Sequence, residues 1–179
     1  DSGPVLISKE LELDKNAIFR IASITKTITA LGILKLMENG ELNLDDEIEK
    51  YIPEFKNLEV LTYFDSENYT YTTTPANRKI TILDLLTHYS GVSYGRYTDN
   101  NKYNEMYNTF VKDSVVELYT TKKIFLKENI TRLSRVPLVS HPGTGFEYGM
   151  SYDILGYVIE LVSGKSLNNF FNETFFIPL

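Results

Sequence analysis

The stretch Phe19–Leu42, FRIASITKTITALGILKLMENGEL, decides how the chain is read. It places Ser23 three residues before Lys26, at the start of a long apolar run. Ile24, Ile28, Leu31 and Leu34 line one stripe, and Ala30, Ile33 and Met37 widen it almost all the way round. A stripe that wide predicts a central, buried helix from Ser23 to about Asn39. Gly40 follows as the residue able to turn left-handed past a helix end. A hydroxyl and an amine at the mouth of a buried helix need a reason.

Residues three apart share a helix face, so Ser23 and Lys26 can reach into one cavity. Ser23 lies where free backbone N–H groups and the helix dipole favour negative charge. A serine that passes through an alkoxide-like state, beside an anionic tetrahedral intermediate, gains from that position. A lysine in an apolar pocket has its pKa pushed down and can accept a proton. The spacing alone leaves a second reading open, with Ser23 as an N-cap and Lys26 as a solvated first-turn residue. In a chain of this composition roughly 0.9 Ser-x-x-Lys pairs arise by chance, a risk attached to any short motif. Against the second reading, the run after Lys26 carries little polar surface until Lys35.

Outward from this segment, GPVLIS holds a strand candidate, Val5 to Ser8, and ELELDKNAI alternates into the first helix. LNLDDEIEKYIPEF reads as a turn, a short helix with a solvated acidic face, and a proline break. LTYFDSENYTYTTTPANRK, rich in Tyr and Thr, is a hairpin or an ordered surface loop. Thr81 with Asp84 three residues on forms a capping box for a helix of about seven residues, ending at Ser90-Gly91. Residues 101–130 carry Met106, Phe110, Val115, Leu118 and Tyr119 at helical spacing. PLVSHPGTGFEYG is a loop punctuated by Pro and Gly. From Ser151, Ile154, Leu155, Val158, Ile159 and Val162 mark an amphipathic helix stopped by Gly164, and a last helix starts near Ser166. No internal repeat is present.

The chain's 179 residues suffice for one domain with a real core. A net charge of -6 argues against a nucleic-acid binder, which would carry a basic stripe. With no cysteine and two distant histidines, neither a disulfide nor a zinc site is expected. No apolar run approaches the roughly 18 residues of a membrane span. A signal peptide is not visible, so the compartment is not legible.

Three blocks, in order, resemble the serine β-lactamase-like superfamily, which includes class C β-lactamases, penicillin-binding DD-peptidases and esterases of the same fold. They are FRIASITKTITALGILKLMENGELNLDDEIEKYIPEF, ITILDLLTHYSGVSYG and HPGTGFEYGMSYDILGYVIELVSGKSLNNFFNETFFIPL. The resemblance implies an α/β (α+β) fold of the β-lactamase/transpeptidase type. It implies Ser23 as the acylated nucleophile, Lys26 as its activating partner and Tyr148 as the general base of a Tyr-x-Asn motif. It implies no cofactor and no metal. Two departures favour the esterase branch. Tyr148-Gly149-Met150 puts methionine where an asparagine would hydrogen-bond a substrate amide, and EYGMSYDILG is one residue shorter than is usual in β-lactamases. Carboxylic ester hydrolysis is therefore the expected reaction, with β-lactamase or DD-peptidase activity as the rival. The family's last motif, Lys-Thr-Gly or a His/Trp variant on a β-strand, is not found, nor is most of the antiparallel sheet. Residues 1–179 then form the helical lobe and nucleophile region of a partial domain. It acts on a small-molecule ester or β-lactam-like substrate, with a second polypeptide completing the fold as one option. A catalytically incomplete fragment or binding domain is the remaining alternative. In either case apolar surface is expected where the sheet should pack.

Other polar residues have structural readings. His88, at a helix C-terminus, is favoured by the dipole and by local carbonyls. His141 reads as a loop surface residue, and Asp153 as a first-turn acid in a capping role. The 13 tyrosines mostly pack with wet tips. Those in 63–71 and 94–107 are candidates to line a cleft.

Overall fold

A helix forms where the Ser-x-x-Lys segment predicted one: α1 runs Thr25–Glu38, entered through a 3-10 turn at Ala22–Ile24. Gly40 follows at φ +75°. The computed structural model describes residues 16–65, 67–68, 70–94, 115–117 and 124–179. The expected strand Val5 to Ser8 lies outside them, as do Met106, Phe110, Leu118 and Tyr119.

After α1, two 3-10 turns at Ile48–Lys50 and Pro53–Phe55 replace the single short helix expected there. The Tyr/Thr-rich segment is a hairpin, β1 (Glu59–Asp65) antiparallel to β2 (Thr70–Pro75). A register shift between Leu61 and Tyr63 breaks the strict alternation, so Val60 and Leu61 are both buried, as is Phe64. Leu138 borders β1, accepting from the Leu61 N–H and donating to the Glu59 carbonyl, each at 2.8 Å. This contact anchors the loop 137–149 on the hairpin.

Helix α2 (Ile82–Thr87) starts with the predicted capping box, in which Thr81 and Asp84 bond each other's backbone N–H. Arg78 holds both Asp84 oxygens, at 2.6 and 2.8 Å. The helix ends earlier than expected, because His88 itself turns left-handed at φ +60°. Helix α3 (Leu126–Leu133) follows, then α4 (Ser151–Ser163), stopped by Gly164, and α5 (Leu167–Phe171), which runs into a π-helical turn at Asn172–Phe176.

Helix α4 is the hub, touching α1, α2, α3 and α5. Its Ile154, Leu155, Val158 and Ile159 are fully buried. Gly32 lets α1 lie close against it, since a Cβ there would come within 2.8 Å of Ile159 Cδ1. That contact sets which face of α1 is buried: Thr29, Gly32, Ile33 and Leu36. The expectation of burial all round fails on the opposite side, where Ile24 is 65% and Leu31 50% exposed. With α4 claiming one face, the described residues place no sheet over the other.

Candidate active site

Ser23 sits in the 3-10 turn that opens α1, with Lys26 one turn on. Tyr148 donates to Ser23 Oγ at 2.9 Å, across 125 residues of chain. Lys26 Nζ lies 3.5 Å from Ser23 Oγ, at the outer limit of a hydrogen bond, and donates to the Tyr94 hydroxyl at 3.1 Å. The ammonium also lies 5.0 Å from the centre of the Tyr148 ring. The three residues singled out in the sequence thus meet at one point, joined by Tyr94. Ala22, just before the serine, holds φ at +45°, a conformation a non-glycine residue rarely takes. The tight entry turns Ser23 outward, and it is exposed.

Two loops bring the tyrosines in. The first, residues 88–94, follows α2 and carries Tyr94. The second, 137–149, carries Tyr148. They touch backbone to backbone at Gly149, where a Cβ would stand 2.3 Å from the Val92 carbonyl oxygen. Ser90 and Ser151, both buried, share a hydrogen bond of 2.9 Å that ties the first loop to the start of α4. Ser93 donates to Glu147 at 2.5 Å, and the Glu147 N–H to the His88 carbonyl at 2.7 Å. Gly149→Ala is therefore expected to push the loops apart and misplace Tyr148. A misplacement of about 1 Å at a reacting group costs on the order of 10²-fold in turnover. Thermal melting and ester turnover of the full-length protein check this; a variant matching wild type in both shows that the close approach is dispensable.

His88 supports the phenol from behind. Its ring packs 4.7 Å from that of Tyr148 and 5.2 Å from that of Tyr152. Burial, and then the charge of Lys26, hold His88 below the usual imidazole pKa. It is neutral at neutral pH, so the expected dipole stabilisation of a charged His88 does not apply. Its Nδ1 is buried without a hydrogen bond among the described residues. His141 is half-buried rather than a free surface residue, and its Nδ1 accepts from the Asn77 N–H at 3.2 Å.

The electrostatics correct the expected state of the lysine. Burial pulls Lys26 down, but Tyr94 and then Tyr148 push it up, and the balance lies above the usual amine value. Lys26 is therefore an ammonium. For Tyr148, burial pushes the phenol up, while the Ser23 hydrogen bond and Lys26 pull it further down, below its ordinary value. The pair titrates together, with the amine holding the proton and the phenol eased toward losing it.

Two site residues were not identified individually from sequence. Tyr94 fell within a broad range of cleft candidates, and its place beside Lys26 comes only from the packing of the loops. The sequence alone assigns Asp153 a capping role. Yet Met150 occupies the N-cap of α4 without a side-chain cap, and Asp153 lines a cavity shared with Ser23 and Lys26. Met150 itself is buried in the core and offers the site no polar atom. Among the described residues no group of His, Asp and Glu is placed to hold a metal, and no helix is long and apolar enough to cross a membrane.

Several known proteins are similar over most of the chain. Esterase EstB of Burkholderia gladioli is 31% identical over 153 residues, 86% of this chain and 34% of EstB. Lovastatin esterase of Penicillium rubens is 34% identical over 165 residues, 90% of this chain and 38% of the relative. Unliganded Simvastatin Synthase (LovD) of Aspergillus terreus superposes with a TM-score of 0.72 at 27% identity, over 93% of this chain and 39% of LovD. The chain thus spans about a third of the length of the curated relatives it matches. The superposition identifies the fold as β-lactamase/transpeptidase-like. Residues 7–179 match the protein family described as Beta-lactamase, a match that includes every described element, and the chain belongs to that family.

Proposed function

We propose that the full-length protein is a serine hydrolase that cleaves carboxylic esters through an acyl-enzyme on Ser23. The observation that carries this reading is the convergence of Tyr148 and Lys26 on Ser23 Oγ, at 2.9 and 3.5 Å. Tyr148, as phenolate, takes the Ser23 proton while Oγ attacks the ester carbonyl. The lysine stays charged and stabilises that phenolate. As one of the first residues of a helical turn, Ser23 offers its backbone N–H to the developing oxyanion. Collapse of the tetrahedral intermediate breaks the bond to the alcohol oxygen, which receives the proton back from Tyr148. A water molecule then repeats the sequence on the acyl-enzyme, releases the acid and regenerates Ser23.

Esters are favoured over β-lactams and peptides by the side chain two residues beyond Tyr148. Met150 cannot hydrogen-bond a substrate amide, which a carboxylic ester does not present. The esterases among the relatives support the same choice. The activity is assigned to the full domain, in which further structure packs on the exposed stripe of α1 and supplies a second oxyanion donor. Loss of one such donor costs on the order of 10²–10³ in turnover, so residues 1–179 alone are expected to be nearly inactive.

Short p-nitrophenyl esters and a chromogenic cephalosporin, offered to the full-length protein, test the reading. Ester turnover well above cephalosporin turnover is expected. Cephalosporin opening without ester turnover transfers the protein to the β-lactamase branch.

A further inference from the structure

Beside Ser23 lies a cavity of about 280 Å³. Ser23 and Lys26 stand on one side, Leu126, Gly156 and Leu167 form apolar wall, and Asp153 adds a carboxylate. Gly156 lets both leucines approach α4: a Cβ there would meet Leu167 Cδ2 at 3.2 Å and Leu126 Cδ2 at 3.5 Å. Tyr148 is not among the walls. In the reaction proposed above, the departing alcohol needs the proton of Tyr148 and so sits on that tyrosine's side. The cavity is left for the acyl group.

Asp153 is the unexpected part of this wall. A first-turn acid gains from the helix dipole at the surface, but this half-buried carboxyl lines the cavity. Apart from its own backbone N–H, no described group hydrogen-bonds it. A carboxylate that lines a reaction cavity, with no side-chain hydrogen bond among the described residues, has room for a donor from a ligand. The nature of that donor follows from the neighbours. Lys26, an ammonium on the same cavity, disfavours a cationic group. Asp153 disfavours an anionic one. A neutral hydroxyl satisfies both, while the methylenes before it lie along Leu126 and Leu167.

Resting on the ester-hydrolase reading, we propose that this cavity is the acyl subsite, with Asp153 selecting acyl groups that carry a neutral hydroxyl. Burial, which raises the carboxyl's pKa, fits the same partner, because a carboxyl in either protonation state can hydrogen-bond a hydroxyl.

The test compares matched aryl esters with the full-length protein: p-nitrophenyl 6-hydroxyhexanoate against heptanoate, and 3-hydroxyhexanoate against 3-methylhexanoate. Each pair exchanges a hydroxyl for a methyl of similar size. In at least one pair, wild type is expected to prefer the hydroxyacyl ester in kcat/KM by about 10- to 100-fold, the range for a hydrogen bond to a charged group. Asp153→Leu brings that ratio to about one, and Asp153→Asn, whose amide oxygen still accepts, keeps part of it. The ratio is taken within each variant, so the amount of folded protein cancels. Leu167→Phe, which enlarges a side chain lining the cavity, is expected to lower the heptanoate-to-acetate ratio about tenfold. Wild-type turnover of acetate with no hydroxyl preference in either pair overturns the subsite and leaves the hydrolase reading standing. An equal fall on both members of a pair in Asp153→Leu overturns it too, since Asp153 then acts on Lys26 rather than on substrate. Absence of turnover on every ester, with no covalent labelling of Ser23, overturns both readings.

Discussion

Ser23→Ala in the full-length protein is expected to abolish covalent labelling by a fluorophosphonate and to lower ester turnover by roughly 10⁴–10⁶, the scale set by loss of a serine nucleophile. The structure makes the substitution clean. Ser23 is exposed at the head of α1, and among the described residues its hydroxyl hydrogen-bonds Lys26 and Tyr148. Such a change alters stability by within about 0.5 kcal/mol, so the melting temperature stays near that of wild type. The entry turn, with Ala22 already left-handed, does not depend on the hydroxyl. Intact folding combined with lost acylation separates a nucleophile from a structural cap, the two roles the sequence left open. Turnover within tenfold of wild type would remove Ser23 and the acyl-enzyme from the mechanism.

The features legible in the sequence are those written in local patterns. The extent of α1, its glycine stop, the Thr81–Asp84 capping box and the α4 stripe all depend on residues within a turn or two of each other. The buried face of α1 was not legible, because both faces are apolar. Gly32 decides it, by admitting Ile159 of α4, and that partner lies 127 residues away in sequence. The hairpin at 59–75 stayed ambiguous since the shift after Leu61 breaks the period that would have marked a strand. In the site, the three residues are named by the resemblance that the Ser23 and Tyr148 blocks carry, since the Ser-x-x-Lys spacing alone leaves two readings open. Tyr94 and Asp153 carry no local signal, as each matters only through the loop or helix that turns it toward Lys26. The lysine's charge state depends on the same distant loops. An apolar helix suggested a depressed amine, whereas two phenol oxygens brought from distant loops reverse the balance.

Those phenols set the second large effect. Tyr148→Phe is expected to lower turnover by about 10²–10⁴, the contribution of a positioned general base and acid. The ring keeps its place against His88 and Tyr94, so the loss reports on the hydroxyl alone. The pH profile then identifies the proton. If the phenolate is the base, turnover rises with pH through an apparent pKa below the ordinary phenol value of about 10. That depression comes from the Ser23 hydrogen bond and from Lys26, acting against burial. Lys26→Met removes the cation and leaves the burial, so the phenol pKa must rise and the ascending limb must move to higher pH. At a fixed neutral pH this variant loses rate, and part of the loss returns as the pH is raised. Were the lysine itself the base, the outcome would differ in kind: Lys26→Met would remove the limb at every pH, with no recovery, and Tyr148→Phe would leave the limb in place with a modest loss of rate. The two variants measured together across pH therefore decide which of the two groups accepts the Ser23 proton, and a recovering Lys26→Met is the expected result.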